Sequence, residues 1–362
     1  MAVASLESYS SLVREVDGEC AFVRASGDFL FSGSRTGEVA CWNFSSGTEI
    51  WRRNFDGPCS HSDCDEDLLF FTASDSIHAV RMSSGEVIWS VKLEGSSDYV
   101  RISNGFVWVT SSVYNFEIQD YSEGAIWQIN FDGEIITRLE TFGRAWSLST
   151  QEGRVVMGLS RPRCGYAVVS EEDGIEYVEL EHCHPVTVGS SGGDFPIVLG
   201  HSNGMVTEIV GSEARMISHE ESSVRAIDYF DGWVGGLDSG FVSSGEVFGS
   251  WSIDLSGVID VVLFGPSLRE AKGVWASSWE KKSKIFLIDS SEGSVELEIS
   301  HHSRICCSMS IENAICFGDY SGCVYVIEGE VLRRRFARPE EEMSEENSSS
   351  EMRRKIRGLR GG

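Results

Sequence analysis

The chain has 362 residues and a formal net charge of −26, with 56 acidic and 30 basic side chains. Such an acidic body repels nucleic acid phosphates and acidic membrane surfaces, so direct nucleic acid binding is not expected. No run of eighteen apolar residues exists, and residues 1–16 lack a basic segment followed by an apolar one. We therefore expect neither membrane insertion nor export, but a cytoplasmic protein with reduced thiols.

A glycine frame, G-x-x-x-G-x-V, recurs along the chain. Its four copies span residues 33–39, 200–206, 236–242 and 318–324. Their second glycines are separated by 167, 36 and 82 residues. These gaps are close to four, one and two steps of about 41 residues, a period typical of propeller repeats. Each copy is interpreted as a strand end, a tight turn in which glycine takes positive φ, and the start of the next strand.

Short strands separated by turn residues are predicted between these frames. The first unit holds strands at 20–25, 29–34, 38–43 and 49–55, and the second at 68–73, 77–82 and 87–93. In the third unit, residues 112–123 are interpreted as an insertion in a hairpin. In the fourth unit, residues 161–163 lengthen the equivalent hairpin loop. Prolines fall between predicted strands or at their ends, as expected of a residue that cannot donate to a sheet.

We predict an all-β fold: a single β-propeller of eight four-stranded blades, with seven blades as the alternative count, within residues 1–338. Two segments, 12–16 and 331–336, compete to pair with the last blade and close the ring. Residues 339–362 have too few apolar side chains to form a core, so we expect a flexible charged tail that ends in Leu-Arg-Gly-Gly.

Two stretches resemble known propeller families. Residues 37–47 resemble the third strand and following turn of a WD repeat, with Trp42-Asn43 in place of the Trp-Asp pair. Residues 84–90, Ser-Gly-Glu-Val-Ile-Trp-Ser, resemble the Gly-x-x-x-Trp repeat of quinoprotein-like (PQQ-like) eight-bladed propellers. These resemblances imply the fold. A quinone-dependent enzyme of this kind would need a bound quinone and calcium, and we assign neither a cofactor nor a catalytic residue. Trp51 and Trp89 fall in equivalent fourth strands, where they are predicted to pack between blades.

Six histidines are predicted in loops between a fourth strand and the next innermost strand, and would therefore share one rim. We interpret them as structural hydrogen-bonding residues, with a partner-binding rim as the alternative. They are His61, His182, His184, His219, His301 and His302. Two of these loops also carry cysteines, and their residue types suit zinc although their spacing is not a standard zinc pattern. The candidate ligands are Cys59, His61, Cys64, His182, Cys183 and His184.

We predict a non-catalytic, monomeric interaction scaffold that binds one or more proteins through its loop faces and its tail. The tail candidates are Arg353, Arg354, Lys355, Gly361 and Gly362. The acidic body is interpreted as solubilising, with a basic partner surface as the alternative. Two other functions stay open. One is a cofactor- or metal-binding enzyme that uses the histidine- and cysteine-bearing rim. The other is conjugation in the manner of ubiquitin, whose Leu-Arg-Gly-Gly terminus this chain's end resembles.

Overall fold

Eight antiparallel four-stranded sheets form a closed ring in the computed structural model, which describes residues 5–170, 174–180, 184–190, 192–245 and 249–337. The innermost strand of each blade contacts the innermost strand of the next blade. Those of blades 8 and 1 also contact each other, which completes the circle. The prediction of a single all-β propeller with eight blades is confirmed, and the seven-blade alternative is wrong.

The strands of each blade follow one another outward from the axis. Blade 1 comprises Cys20–Ser26, Phe29–Ser34, Glu38–Asn43 and Glu49–Asn54; blade 2 comprises Cys59–Asp65, Leu68–Ala73, Ser76–Arg81 and Val87–Lys92. Blade 3 comprises Ser96–Ser103, Phe106–Asn115, Asp120–Ile129 and Ile135–Phe142; blade 4 comprises Ala145–Gln151, Arg154–Leu159, Gly165–Ser170 and Gly174–Val178. Blade 5 comprises Val186–Gly189, Ile197–His201, Met205–Val210 and Glu213–His219; blade 6 comprises Val224–Tyr229, Trp233–Leu237, Phe241–Ser244 and Trp251–Asp254. Blade 7 comprises Val258–Gly265, Gly273–Trp279, Ser283–Ile288 and Val295–His301; blade 8 comprises Ile305–Ile311, Ala314–Asp319, Cys323–Glu328 and Leu12–Glu15. A two-residue strand, Gly192–Gly193, pairs in parallel with the innermost strand of blade 4.

The two faces of the ring follow from strand direction. Because successive strands are antiparallel, every innermost strand begins at one face and ends at the other. We call the first the upper face: it carries the turns between second and third strands and the connections to the next blade. The lower face carries the connections between first and second strands.

The N-terminal segment closes the ring. Leu12–Glu15 pairs antiparallel with the third strand of blade 8, with Leu12 opposite Val326 and Glu15 opposite Cys323. The competing segment is instead helical, within α2 (Gly329–Phe336). This helix packs near α1 (Leu6–Tyr9), and Arg335 donates to the carbonyl oxygens of Ser8 and Ser10 at 2.8 Å each. Neither helix is long and apolar enough to cross a membrane, and no other helix occurs in the described ranges.

The glycine frames form the expected tight turns at the upper face. All four second glycines have φ between 89° and 95°. In blade 1 a Cβ on Gly37 would overlap the carbonyl oxygen of Phe55, in the connection that leads to blade 2. Gly322 meets the Val16 carbonyl in the same way at the closure. Glycine is therefore needed both for its backbone conformation and for this close approach.

Tryptophans of fourth strands join neighbouring blades. The indole nitrogen of Trp51 donates to the Met82 carbonyl at 2.6 Å, and that of Trp89 donates to the Phe131 carbonyl at 2.7 Å. Blade 6 repeats the contact through Trp251, which donates to Ser290 at 2.8 Å. The predicted packing of Trp51 and Trp89 between blades is confirmed, and Trp251 extends it to a unit that the sequence analysis did not single out.

The apolar core also lies between blades. Because a blade is a single sheet, most of its apolar side chains are buried against the neighbouring blades. One such cluster contains Phe22, Phe31 and Val39 of blade 1 and Leu69, Phe71 and Val80 of blade 2. The same arrangement around the ring leaves the innermost strands to line an axial channel.

Candidate functional site in the axial channel

The candidate histidines occupy different positions. His219 and His301 end fourth strands, His302 follows directly, and His184 lies two residues before the innermost strand of blade 5. These four belong to the upper face. His61 is instead the third residue of the innermost strand of blade 2, so its predicted loop position was wrong. The connection from blade 1 is short, covering residues 55–58. His182 and Cys183 lie outside the described residues, as do the five tail candidates.

His301 is part of a buried hydrogen-bond network. Its Nε2 donates to the Asp319 carboxylate at 2.9 Å, and the Tyr325 hydroxyl donates to the same oxygen at 3.3 Å. The other Asp319 oxygen accepts from the amides of Ser321 and Cys323 at 2.8 and 3.0 Å. Although the ligand atoms of His301, His302 and Asp319 lie within 4.8 Å of one another, the carboxylate is already fully engaged. This geometry fits the structural interpretation of His301.

The cysteine and histidine candidates of blade 2 have surroundings unsuited to a cation. Cys59 is buried in the apolar cluster between blades 1 and 2, and burial raises its pKa to about 12. Burial also holds the pKa of His61 well below its ordinary value, and the guanidinium groups of Arg101 and Arg24 lower it further. A neutral imidazole beside two positive charges is a poor place for a metal ion.

A cavity of about 490 Å³ occupies the channel. Its walls are the innermost strands of blades 1, 2, 3, 6, 7 and 8, together with Gly192 and Phe195 from the segment that enters beside blade 4. In all eight blades the register between the first two strands shifts near the start of the innermost strand. Such bulges re-aim side chains, and here they help to set which residues face the axis.

The wall formed by blades 1–3 is positively charged. Arg101 donates to His61 Nε2 at 3.2 Å; because arginine only donates, this imidazole nitrogen must be the unprotonated one. Arg24 donates to the Ser62 carbonyl and lies 3.6 Å from an oxygen of Asp63. Burial lowers the pKa of Arg101 to about 10, so this side chain remains charged at neutral pH. The partners in these contacts lie about one repeat apart in sequence, in neighbouring blades.

The opposite wall combines aromatic rings with Asp228 and Lys272. The rings of Phe195 and Phe230 are 5.7 Å apart, and Phe230 lies 6.0 Å from Phe264. The Lys272 ammonium lies 4.3 Å from the centre of the Phe230 ring. Asp228 accepts the amide of Phe264 at 2.9 Å, but burial raises its pKa to about 6. This site was not predicted from the sequence; the detectable signal was a charged residue within each of several innermost strands.

A second feature, on the upper face, is a long hairpin in blade 3. We call residues 112–124 the blade-3 hairpin. The expected insertion is a continuation of the second and third strands, which pair out to Asn115 and Asp120. Phe116 is 85% exposed and Ile118 60% exposed at its tip. Tyr114 packs edge-on against both Phe116 and Tyr121, with centroids 5.2 Å apart in each pair.

The base of the blade-3 hairpin is fixed by Arg144. Its guanidinium lies over the rings of Tyr121 and Trp146, at 5.0 and 4.8 Å. It also donates to the Tyr121 hydroxyl at 2.9 Å and forms an ion pair with Asp98 at 2.8 Å. The Asp98 carboxylate is almost fully buried. These contacts hold the exposed tip on a rigid support.

Comparisons with known proteins agree with the fold. A family model described as outer membrane protein assembly factor BamB matches residues 9–110. Among solved structures, the computationally designed Ika8 protein superposes with a TM-score of 0.68 at 17% identity, covering 87% of this chain and 98% of that one. BamB from Moraxella catarrhalis gives a TM-score of 0.65 at 13% identity, with coverages of 88% and 99%. The WD40 β-propeller domain of Doa1 gives 0.56 at 14% identity, with coverages of 88% and 96%. No curated protein sequence matches the chain significantly.

Proposed function

We propose that this β-propeller of the PQQ-like and WD-repeat superfamily is a non-catalytic scaffold that binds a partner protein through the blade-3 hairpin. The observation that carries the proposal is the tip of this hairpin, where apolar and aromatic side chains project into solvent. Exposed apolar groups that cluster on one loop are costly to leave in water and are a common mark of protein interfaces.

The tip has the properties of an interface hot spot. Aromatic anchors contribute most when they are large and already ordered, because little conformational freedom is then lost on binding. Tyr114 and Phe116 pack on each other, and Tyr121 below them is fixed by Arg144. The hairpin therefore offers Phe116 and Ile118 to a partner without prior rearrangement.

The charge around the tip defines the partner. Glu117 and Glu123 are exposed on the hairpin, and Asp120 lies between them with one ion-pair contact, to Arg161 at 4.0 Å. The chain as a whole carries a net charge of −26. We therefore propose a partner with an apolar cleft bordered by lysine and arginine, whose association slows as salt concentration rises.

Capture from native cells followed by measurement with the purified partner tests this proposal. The full chain is compared with a triple variant, Tyr114→Ser, Phe116→Ser and Ile118→Ser. Loss of a hot spot weakens binding by roughly 30-fold or more, measured by surface plasmon resonance at two salt concentrations. The matched control is Ile135→Ser with Ile136→Ser, two exposed apolar residues on the outer strand of the same blade.

Two outcomes would contradict the proposed scaffold function. One is a purified partner that binds the triple variant and the wild type equally. The other is native protein that carries a stoichiometric quinone or metal ion by mass spectrometry, which would favour the cofactor-binding enzyme. The contribution of the tail, including Arg353, Arg354, Lys355 and the terminal diglycine, remains a prediction, and capture with residues 339–362 removed tests it. The cytoplasmic location also remains a prediction.

A further inference from the structure

The axial cavity is lined by more cationic than anionic side chains, with Arg24, Arg101 and Lys272 against Asp228. Although the chain has an excess of carboxylates, no described carboxylate forms an ion pair with Arg101. Its one side-chain partner is the neutral ring of His61. Arg24 has a single carboxylate nearby, Asp63, whose second oxygen accepts the Ile102 amide at 3.1 Å. Arg101 thus has no direct carboxylate partner among the described residues, and only the more distant carboxylate charge of Asp63 acts on it.

Both arginines also have unused donors. The Nε atoms of Arg24 and Arg101 are buried and have no hydrogen-bond partner. A buried donor without an acceptor is unfavourable, and such groups in a native structure call for an explanation. The two side chains that carry these atoms line the same cavity, although the Nε atoms themselves are inaccessible to solvent. An acceptor with several oxygens, bound in the cavity, would contact both guanidinium groups, and it would reach the buried Nε atoms only if these groups turn toward it.

The remainder of the cavity suits an apolar body. Phe195, Phe230 and Phe264 form the facing wall, and Lys272 lies over Phe230. A volume of about 490 Å³ falls in the range of small-molecule sites. The site therefore combines two arginines at one wall with aromatic surface at the other, where Asp228 and Lys272 also lie.

We propose that the axial cavity binds a small phosphate monoester, with its phosphate at Arg24 and Arg101 and an apolar or aromatic body against Phe195 and Phe230. A phosphate monoester carries close to two negative charges and three terminal oxygens, which matches two guanidinium groups from different strands. A carboxylate has two oxygens and one charge, so it engages one guanidinium group fully. This binding goes beyond the protein interaction proposed above and uses a different part of the molecule.

Isothermal titration of the full chain with phenyl phosphate tests the proposal, with benzoate and inorganic phosphate as comparison probes. We expect phenyl phosphate to bind more tightly than about 1 mM and at least about tenfold more tightly than either comparison probe. Arg101→Gln and Arg24→Gln should each weaken it roughly 10- to 100-fold, since each loses charged hydrogen bonds. The control Arg138→Gln, on the outer strand of blade 3 with partners Glu94 and Glu140, should leave binding unchanged.

Each contrary result bears on a specific part of the proposal. Absence of phenyl phosphate binding to the wild type overturns it. Benzoate binding as tightly as phenyl phosphate overturns the phosphate assignment. Equal binding to wild type and Arg101→Gln overturns the role of the arginine wall. If either glutamine variant fails to fold, the lysine variant at the same position, Arg24→Lys or Arg101→Lys, provides the second test, with an expected loss of several-fold because lysine keeps the charge but lacks the paired donors.

Discussion

Asp319 is the residue whose removal should most weaken the seam between blades 7 and 8. Its carboxylate is inaccessible to solvent and accepts hydrogen bonds from His301, Tyr325, Ser321 and Cys323. Burial by itself would raise the pKa of Asp319, but the hydrogen bonds from His301 and Ser321 outweigh it and the pKa lies below its ordinary value. We predict that Asp319→Ala strongly destabilises the propeller.

The size of the effect follows from the donors left behind. Each buried donor without a partner costs about 1–3 kcal/mol. His301 and Tyr325 cannot reach water because both are buried, whereas Ser321 is more exposed. With two buried side-chain donors and the amide of the partly buried Cys323, we expect a loss of roughly 3–5 kcal/mol in the free energy of unfolding. Asp319→Asn keeps one accepting oxygen for the amides and should lose less, about 1–2 kcal/mol.

Urea unfolding followed by circular dichroism measures this loss. The matched control is Asp238→Ala, another turn aspartate of a glycine frame, which is about half exposed and pairs with Arg225 at 3.3 Å. An exposed ion pair contributes little, so the control should lose less than about 1 kcal/mol. Equal losses of unfolding free energy in Asp319→Ala and Asp238→Ala would show that the buried carboxylate contributes no more to stability than the exposed one.

Two further predictions concern the blade contacts and the channel. Trp89→Phe removes the donor to the Phe131 carbonyl and should lower the free energy of unfolding in guanidinium by about 1–2 kcal/mol. An unchanged unfolding midpoint would show that this hydrogen bond between blades does not contribute to stability. Burial raises the pKa of Asp228 from 3.8 to about 6, so the folded state holds this proton more tightly than the unfolded state. Its stability contribution is therefore present below pH 3.8 and is lost as the pH rises to about 6. Relative to Asp228→Asn, the free energy of unfolding of the wild type should fall by roughly 3 kcal/mol between pH 3.5 and 7.5. A constant difference between the two proteins across that range would contradict the raised pKa of Asp228.

The repeats and the blade count were predictable because their signals are local. A turn such as that at Gly37 requires glycine for reasons present within a few residues, and the 41-residue period repeats that signal. Ring closure was not predictable, because 12–16 and 331–336 are both short segments with apolar side chains. Tertiary contacts decide between them: Leu332 is fully buried on one face of α2, and Arg335 bonds to the segment before the closing strand.

The channel site could not be predicted from the sequence for a different reason. Arg24, His61 and Arg101 are unremarkable singly, since a charged residue in a strand most often faces solvent. They meet because residues one repeat apart lie at neighbouring positions around the axis. His61 was assigned to the loop between a fourth strand and the next innermost strand, whereas pairing with the second strand extends the innermost strand of blade 2 to Cys59.

The closing strand has a consequence for how the protein is made on the ribosome. Val13 pairs with Tyr325, so the closing strand can pair only after a segment more than 300 residues further along the chain has been synthesised. Until then it has no sheet to join, while blades 1 to 7 already have all their own strands. Since domains acquire structure as synthesis proceeds, the nascent chain should form an open arc first. Closure of the arc is then a single long-range pairing. Such pairings form slowly, and until then the unpaired strand edge of blade 8 can pair with another nascent chain.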